Sequence, residues 1–296
     1  MTSGEQGFLL LTSFLGNPER KPLSMAQFRE LTKKARLMEK PQTYRELTLA
    51  DLQQIGCNRQ IAERVLYLLS QKEQLQWYLQ LSRKKDCFPI TRISAQYPQR
   101  LRNCLNMEAP GTIWIKGDRE LLKAPGVALV GSRDLLDKNR EFAYETGLQA
   151  ARQGYVLISG DARGADRTAQ NSCLEHGGAV ISIVADELEK YPLRNNVLYV
   201  SEDGFDLPFT AQRALKRNRV IHALGEKTFV AQCAFGKGGT WDGTCKNLQN
   251  DWSPVFCFHD GSRAALELEC RGASLVTCSD LRDFVSLQKH FVSFMK

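Results

Sequence analysis

The sequence lacks most of the features that announce a chemistry. No stretch is long and apolar enough to cross a membrane, and no secretory leader is visible, so a cytoplasmic setting without a membrane partner is expected. The nine cysteines are odd in number, irregularly spaced and without a CxxC pair, which predicts reduced thiols rather than a disulfide framework. The four histidines, His176, His222, His259 and His290, stand at no metal-ligand spacing, and no metal site is expected. There is no Gly-x-Ser-x-Gly elbow and no Walker Gly-Lys-Ser/Thr element. These absences predict a binding protein without a cofactor rather than an enzyme.

What is present has a clear organisation. The 296 residues suffice for one large domain or two smaller ones, and the formal net charge of +7 suits a polyanionic partner. The centre of the chain repeats one arrangement twice. Val127-Ala128-Leu129-Val130 is an apolar run of the kind that forms a buried strand, and it ends in Gly131-Ser132-Arg133. A helix-compatible segment follows over Lys138–Gln153. A second apolar run, Tyr155-Val156-Leu157-Ile158, then ends in Ser159-Gly160-Asp161-Ala162-Arg163-Gly164-Ala165-Asp166. At such strand-to-helix turns backbone amides and the helix dipole favour an anion, glycine admits close approach, and arginine offers a forked donor for phosphate.

From Val127 onward strands and helices alternate. Further strands are expected at Ala179–Val184, Val197–Val200, Thr228–Ala231, Pro254–Phe258 and Ser274–Thr277, with helices at Ala165–His176 and Phe209–Leu224 and a closing helix from Ser279. This is the pattern of a doubly wound, mostly parallel α/β sheet. Residues 1–86 read as a separate helical domain. Met25–Lys40 has apolar residues, Met38 among them, near helical spacing. Thr48 suits a cap, Gly56-Cys57-Asn58 a turn, and Ile61, Val65, Leu68 and Leu69 the helix after it. Two short helices around a glycine turn suggest a helix-hairpin-helix or SAM-like module, which touches either nucleic-acid backbone or another protein. Ser82–Lys85 reads as a basic linker. Residues 87–126, punctuated by prolines, form a lead-in with one strand at Thr112–Lys116, and 127–296 form the main domain.

Three more features fall on the same edge. The helix over Phe209–Leu224 carries Arg213, Lys216, Arg217 and Arg219 beside Asn218, with 213, 216 and 217 on one face. Gly236-Lys237-Gly238-Gly239-Thr240 stands where another anion cradle would, with Lys237 and the Thr240 hydroxyl as donors. Asp166 suits an Asx cap inside its own turn rather than acid–base work beside Asp161. Trp241 and Trp252 flank the glycine turn, as candidates for base stacking or for the core.

In order, Gly131-Ser132-Arg133, Ser159-Gly160-x-Ala162-x-Gly164-x-Asp166, Gly177-Gly178, Tyr191-Pro192, Ser201-Glu202, Pro208, Arg217-Asn218-Arg219-Val220-Ile221 and Gly272-Ala273-Ser274-Leu275-Val276 resemble the DNA-processing protein A (DprA, or Smf) family over roughly 88–280. The resemblance implies a Rossmann-like domain behind a SAM-like one, a cytoplasmic homodimer, single-stranded DNA as ligand, and a RecA-type recombinase as partner during DNA uptake and recombination. The chain departs from the family pattern at Gln170, where a histidine is usual, and at Lys237-Gly238-Gly239-Thr240-Trp241, which replaces a Ser-Gly-Ser turn. The site expected on this reading comprises Gly131, Ser132, Arg133, Ser159, Gly160, Arg163, Gly164, Asp166, Arg213, Arg217, Asn218, Arg219, Lys237, Gly238, Gly239 and Thr240. An open alternative is a nucleotide-binding sensor or a nucleoside-phosphate N-glycosidase of the same superfamily, or a role in phage defence. Hydrolysis needs a carboxylate near the sugar, and Cys245 or Asn247 stands at the comparable position.

Overall fold

The computed structural model describes residues 1–36 and 46–288. The end of the helix expected over Met25–Lys40, with Met38, and also His290, lie outside the described residues. The chain divides into two compact units: residues 1–97, 110–114 and 203–205, and the remainder.

The first unit is helical. It holds α1 (Ser3–Thr12), α2 (Met25–Ala35), α3 (Leu49–Gln54), α4 (Arg59–Ser70) and α5 (Lys72–Lys84). Local chemistry sets the boundaries. Thr48 accepts from the Asp51 amide while the Asp51 carboxylate accepts from the Thr48 amide, a reciprocal cap on α3. The Asn58 side chain caps α4 at the Ile61 amide, and Gly56, at φ +82, makes the turn between them. Leu11, Leu23, Leu31, Leu52, Cys57, Ala62, Val65 and Leu68 form the core of this bundle. Ser82–Lys85 is the end of α5 rather than a linker, because Leu75, Tyr78, Leu79 and Ser82 are buried at helical spacing along it.

The second unit is the α/β sheet. In chain order the remaining elements are β1 (Phe88–Thr91), which belongs to the first unit, α6 (Gln99–Leu105), β2 (Thr112–Gly117), whose residues divide between the two units, β3 (Gly126–Val130), α7 (Asp137–Arg152), β4 (Val156–Ser159), α8 (Ala165–Glu175) and β5 (Ala179–Val184). There follow β6 (Val197–Glu202), α9 (Ala211–Leu224), β7 (Lys227–Val230), α10 (Gly239–Asn250), β8 (Val255–Phe258), α11 (Arg263–Cys270) and β9 (Ser274–Val276). Strand β1 and helix α6 add structure to the expected lead-in, and α11 has no counterpart among the expected elements.

Strands β6-β5-β4-β3-β7-β8-β9 lie side by side in that order, every neighbouring pair parallel. The register runs through Ala128 opposite Ile158 on one side and Val130 opposite Val230 on the other. Both faces of β3 and β4 are buried, as their near-continuous apolar sequences require. The chain winds outward from β3 to β6, returns, and winds the other way from β7. The order therefore reverses between β3 and β7, and open α/β sheets bind ligands above such a reversal.

Helices α7 and α8 pack closely because Gly147 bears no side chain: a Cβ there would lie 2.1 Å from the Ala169 carbonyl oxygen. Where a closing helix was expected from Ser279, the described residues, which end at 288, form a single 3-10 turn at Asp280–Arg282. Gln153 ties this segment down, donating to Leu281 O and accepting from the Phe284 amide. Phe284 is then buried against Phe229 and Tyr155. No helix among the described residues is long and apolar enough to cross a membrane.

Candidate functional site

Above the reversal between β3 and β7 lies a pocket of about 430 Å³. Gly131, Ser132 and Arg133 enter it from the turn after β3. Arg217 and Asn218 enter from α9, and Lys237 to Thr240 from the turn after β7. Asp166 reaches it from α8. Ten of the residues expected from sequence thus share one cavity: Gly131, Ser132, Arg133, Asp166, Arg217, Asn218, Lys237, Gly238, Gly239 and Thr240.

Polar ties hold the rim in shape. The Ser132 amide donates to Gln232 O, and Gln232 accepts from the Leu136 amide and donates to Asp134 O. This cross-link between the turns after β3 and β7 is a role no motif signals, because a lone Gln carries no spacing. The Thr240 hydroxyl donates to Gly131 O at 3.0 Å, and Asn218 Nδ2 donates to Gly239 O at 3.1 Å. Thr240 therefore fixes the cradle instead of reaching out as a ligand donor. Helix α10 opens from Gly238 with no side-chain cap, so its first amides are not consumed by a neighbouring side chain.

The turn after β4 is different from the expected cradle. Asp166 Oδ2 accepts from the Gly160 amide at 3.1 Å and the Ala162 amide at 3.2 Å. These amides serve the Asx-type brace and are turned away from a ligand. Ser159 is fully buried and accepts from Gln170 Nε2 at 2.6 Å, so it too is internal. Gln170 bridges on to Ser182, which gives the residue at the histidine position a packing role. Gly164, at φ +88, lies so close to the turn after β3 that a Cβ would meet Ser132 O and Arg133 O at 2.4 Å.

The cations of α9 sort by depth. Arg217 is buried under Gly160, where an added Cβ would fall 1.4 Å from Arg217 Nη1. Its Nη1 donates to Ile183 O at 2.9 Å, while its buried Nε has no partner. Burial lowers its pKa, and the neighbouring Asp166 opposes that shift. Burial likewise pushes the Asp166 carboxyl above its ordinary range, with Arg217 and the two amides pulling it back. Arg213 and Arg219 do not join this pocket. Arg213 donates to Ala185 O, Leu207 O and Pro208 O and to the Ser201 hydroxyl, so it clamps the ends of β5 and β6. Arg219 makes a bidentate pair with Glu202 at 2.9 and 2.7 Å, with 13% and 6% of the two side chains exposed. It neutralises a buried carboxylate instead of a phosphate.

Arg163 is exposed and pairs with Asp134 at 2.7 Å, outside the pocket lining. Arg133 and Lys237 are exposed pocket residues that form no ion pair among the described residues. Trp241 and Trp252 are each 6% exposed and belong to the core rather than to a stacking platform. Asn247 is buried, bonded to His222 and Ser253, and faces no ligand. Cys245 is half-buried and burial raises its pKa, so it supplies no anionic group for sugar chemistry. Among the described residues no group of His, Cys, Asp and Glu could hold a metal.

Comparison with known proteins places this geometry. Residues 89–281 match the family model described as DNA recombination-mediator protein A. The DNA processing protein DprA of Streptococcus pneumoniae is 31% identical over 185 residues, covering 57% of this chain and 64% of that protein. Protein Smf of Escherichia coli is 27% identical over 197 residues, covering 61% and 52%. The matched region thus spans half to just under two thirds of these relatives. The solved structure of the Streptococcus pneumoniae protein superposes with a TM-score of 0.69 at 24% identity, covering 98% of this chain and 99% of that one. That of DNA processing protein A from Helicobacter pylori, described for its single-stranded DNA binding mode, gives a TM-score of 0.55 at 21% identity, covering 66% and 94%. Both share the Rossmann-like architecture.

Proposed function

Because the chain belongs to the DNA recombination-mediator protein A family, we propose that its switch-point pocket grips the phosphate backbone of single-stranded DNA without reading sequence. The observation that carries this reading is the convergence of Arg133, Arg217 and Lys237 with the uncapped start of α10 around one cavity. Phosphate contacts position a strand but carry no base code, so affinity depends little on sequence. Arg133 and Lys237 neutralise charge at the surface. Arg217 lines the floor of the pocket and braces the turn after β4 from beneath Gly160.

A nucleotide hydrolase is the weaker reading. The single carboxylate lining the pocket is Asp166, and its oxygen already accepts two amides in a buried brace. On the binding reading the protein acts as a homodimeric, cytoplasmic mediator that delivers strands to a RecA-type recombinase; the family description itself names recombination mediation alone.

The test is a fluorescence-anisotropy titration with oligo-dT, duplex DNA and RNA at two salt concentrations, beside an assay for base release from nucleoside monophosphates. Two phosphates neutralised by Arg133 and Lys237 predict a slope of log affinity on log salt of about −1.4 from the pocket alone. A slope near zero, or base release without strand binding, overturns the reading.

A further inference from the structure

Most of the net positive charge does not reside with the pocket. Residues 1–97 hold 15 Lys and Arg against 9 Asp and Glu, a net of +6, which leaves 25 against 24, or +1, for residues 98–296. A helical unit of this charge attracts polyanions whatever the α/β unit does.

Helix α5 gives that attraction a defined surface. Its inner face is fixed by Leu75, Tyr78, Leu79 and Ser82, and Tyr78 packs against Trp114 and Phe205 at ring distances of 5.3 and 4.9 Å. Helical spacing therefore sends Gln76, Trp77, Gln80, Arg83 and Lys84 outward, and all five are exposed. Trp77 is 53% exposed, whereas the other three tryptophans are 0 to 6% exposed. Trp77, Gln80 and Lys84 fall at i, i+3 and i+7 along one stripe, with Arg83 beside them. Arg83 and Lys84 form no ion pair among the described residues, and Glu73, one turn before Trp77, is the sole acid of the helix.

We propose that this face of α5 is a second contact surface for single-stranded DNA, on which Trp77 stacks a base and Arg83 and Lys84 meet the adjoining phosphates. An indole needs an open base face, which an unpaired strand offers and a duplex hides within its stack. An exposed ring followed by unpaired cations is the combination that grips single strands without sequence preference. The inference rests on the reading that the protein binds unpaired strands, and extends it to a helix outside the family-matched residues 89–281.

The experiment follows tryptophan emission of the full chain during titration with oligo-dT and with a duplex of equal length, in wild type, Trp77→Phe, Trp77→Ala and Arg83→Ala/Lys84→Ala. Oligo-dT is expected to quench the emission component that acrylamide also reaches, and Trp77→Phe removes that component. Trp77→Ala is expected to weaken oligo-dT about tenfold or more. The double variant is expected to lower the salt slope by about 1.4. Unchanged emission at saturating oligo-dT, with Arg133→Ala abolishing binding, would leave the pocket as the whole site and overturn the proposal. Equal quenching by duplex, or a change of oligomeric state in Trp77→Ala without a change in affinity, overturns it as well. Failure of wild type to bind oligo-dT at all instead sinks the reading of the pocket.

Discussion

The contact between Gly160 and Arg217 gives the site its sharpest test. A Cβ at residue 160 would lie 1.4 Å from Arg217 Nη1, 2.2 Å from Cζ and 2.4 Å from Nη2. Ordinary contact needs about 3.5 Å, so Gly160→Ala must displace the guanidinium by roughly 2 Å. That breaks the 2.9 Å bond to Ile183 O and pulls a buried cation away from Asp166. A hydrogen bond from a charged group contributes about 1.5–3 kcal/mol, so a loss of about 2–4 kcal/mol in stability is expected, with weaker binding of oligo-dT. The cause can be isolated by a double-mutant cycle. In an Arg217→Met background nothing charged occupies the space, and Gly160→Ala should cost less than about 0.5 kcal/mol, giving a coupling of about 1.5 kcal/mol or more. Urea unfolding followed by circular dichroism measures all four corners. An equal cost in both backgrounds, or none in wild type, would show that Gly160 is not there to admit the guanidinium.

Two further outcomes follow from charge. Lys237→Ala, at an exposed pocket position, should leave stability unchanged and reduce the salt slope for oligo-dT by about 0.7, read from affinities at several salt concentrations. His222 is fully buried, its Nδ1 facing Asn247 Nδ2 at 3.2 Å, and burial pushes its pKa down from the ordinary 6.5 to about 3. Its folded pKa lies below its unfolded one, so the unfolded state binds the extra proton, and stability is lost as pH falls below 6.5 towards 3. Between pH 7 and pH 4 that is on the order of 3 kcal/mol, which urea melts of wild type minus His222→Gln should isolate.

The fold was largely legible because its signals are local and repeated. The runs at Val127–Val130 and Tyr155–Ile158 are too apolar to be anything but buried strands, and Thr48 and Asn58 stand where helices begin. What escaped was decided by contacts distant in sequence. Over the described residues after Ser279 the path is set by Gln153 and by the slot that takes Phe284, neither of which local sequence announces. At the level of turns, the loops after β3 and β7 line one cavity as their glycines suggest. Side-chain roles were not readable in the same way. Arg213, Arg217 and Arg219 look alike in a charge run, yet one clamps carbonyls, one is buried beneath a glycine and one neutralises Glu202. Only the neighbours contributed by β5 and β6 separate them.

That sorting of arginines changes what charge does in this protein. Guanidiniums that are buried against carbonyls or carboxylates are part of the scaffold, and substituting them alters shape before it alters attraction. Exposed cations without partners govern ionic strength dependence, and at the pocket these are Arg133 and Lys237. With residues 98–296 close to neutral, the α/β unit cannot draw a polyanion from a distance by net charge; it can only hold one that has arrived. If α5 contacts strands as proposed, the +6 carried by residues 1–97 supplies the long-range part and the exposed indole gives that charge a place to become contact. Capture and grip are then separate tasks of separate units. It follows that lowering the salt should speed association through the helical unit, while the lifetime of the complex should follow the residues around the pocket.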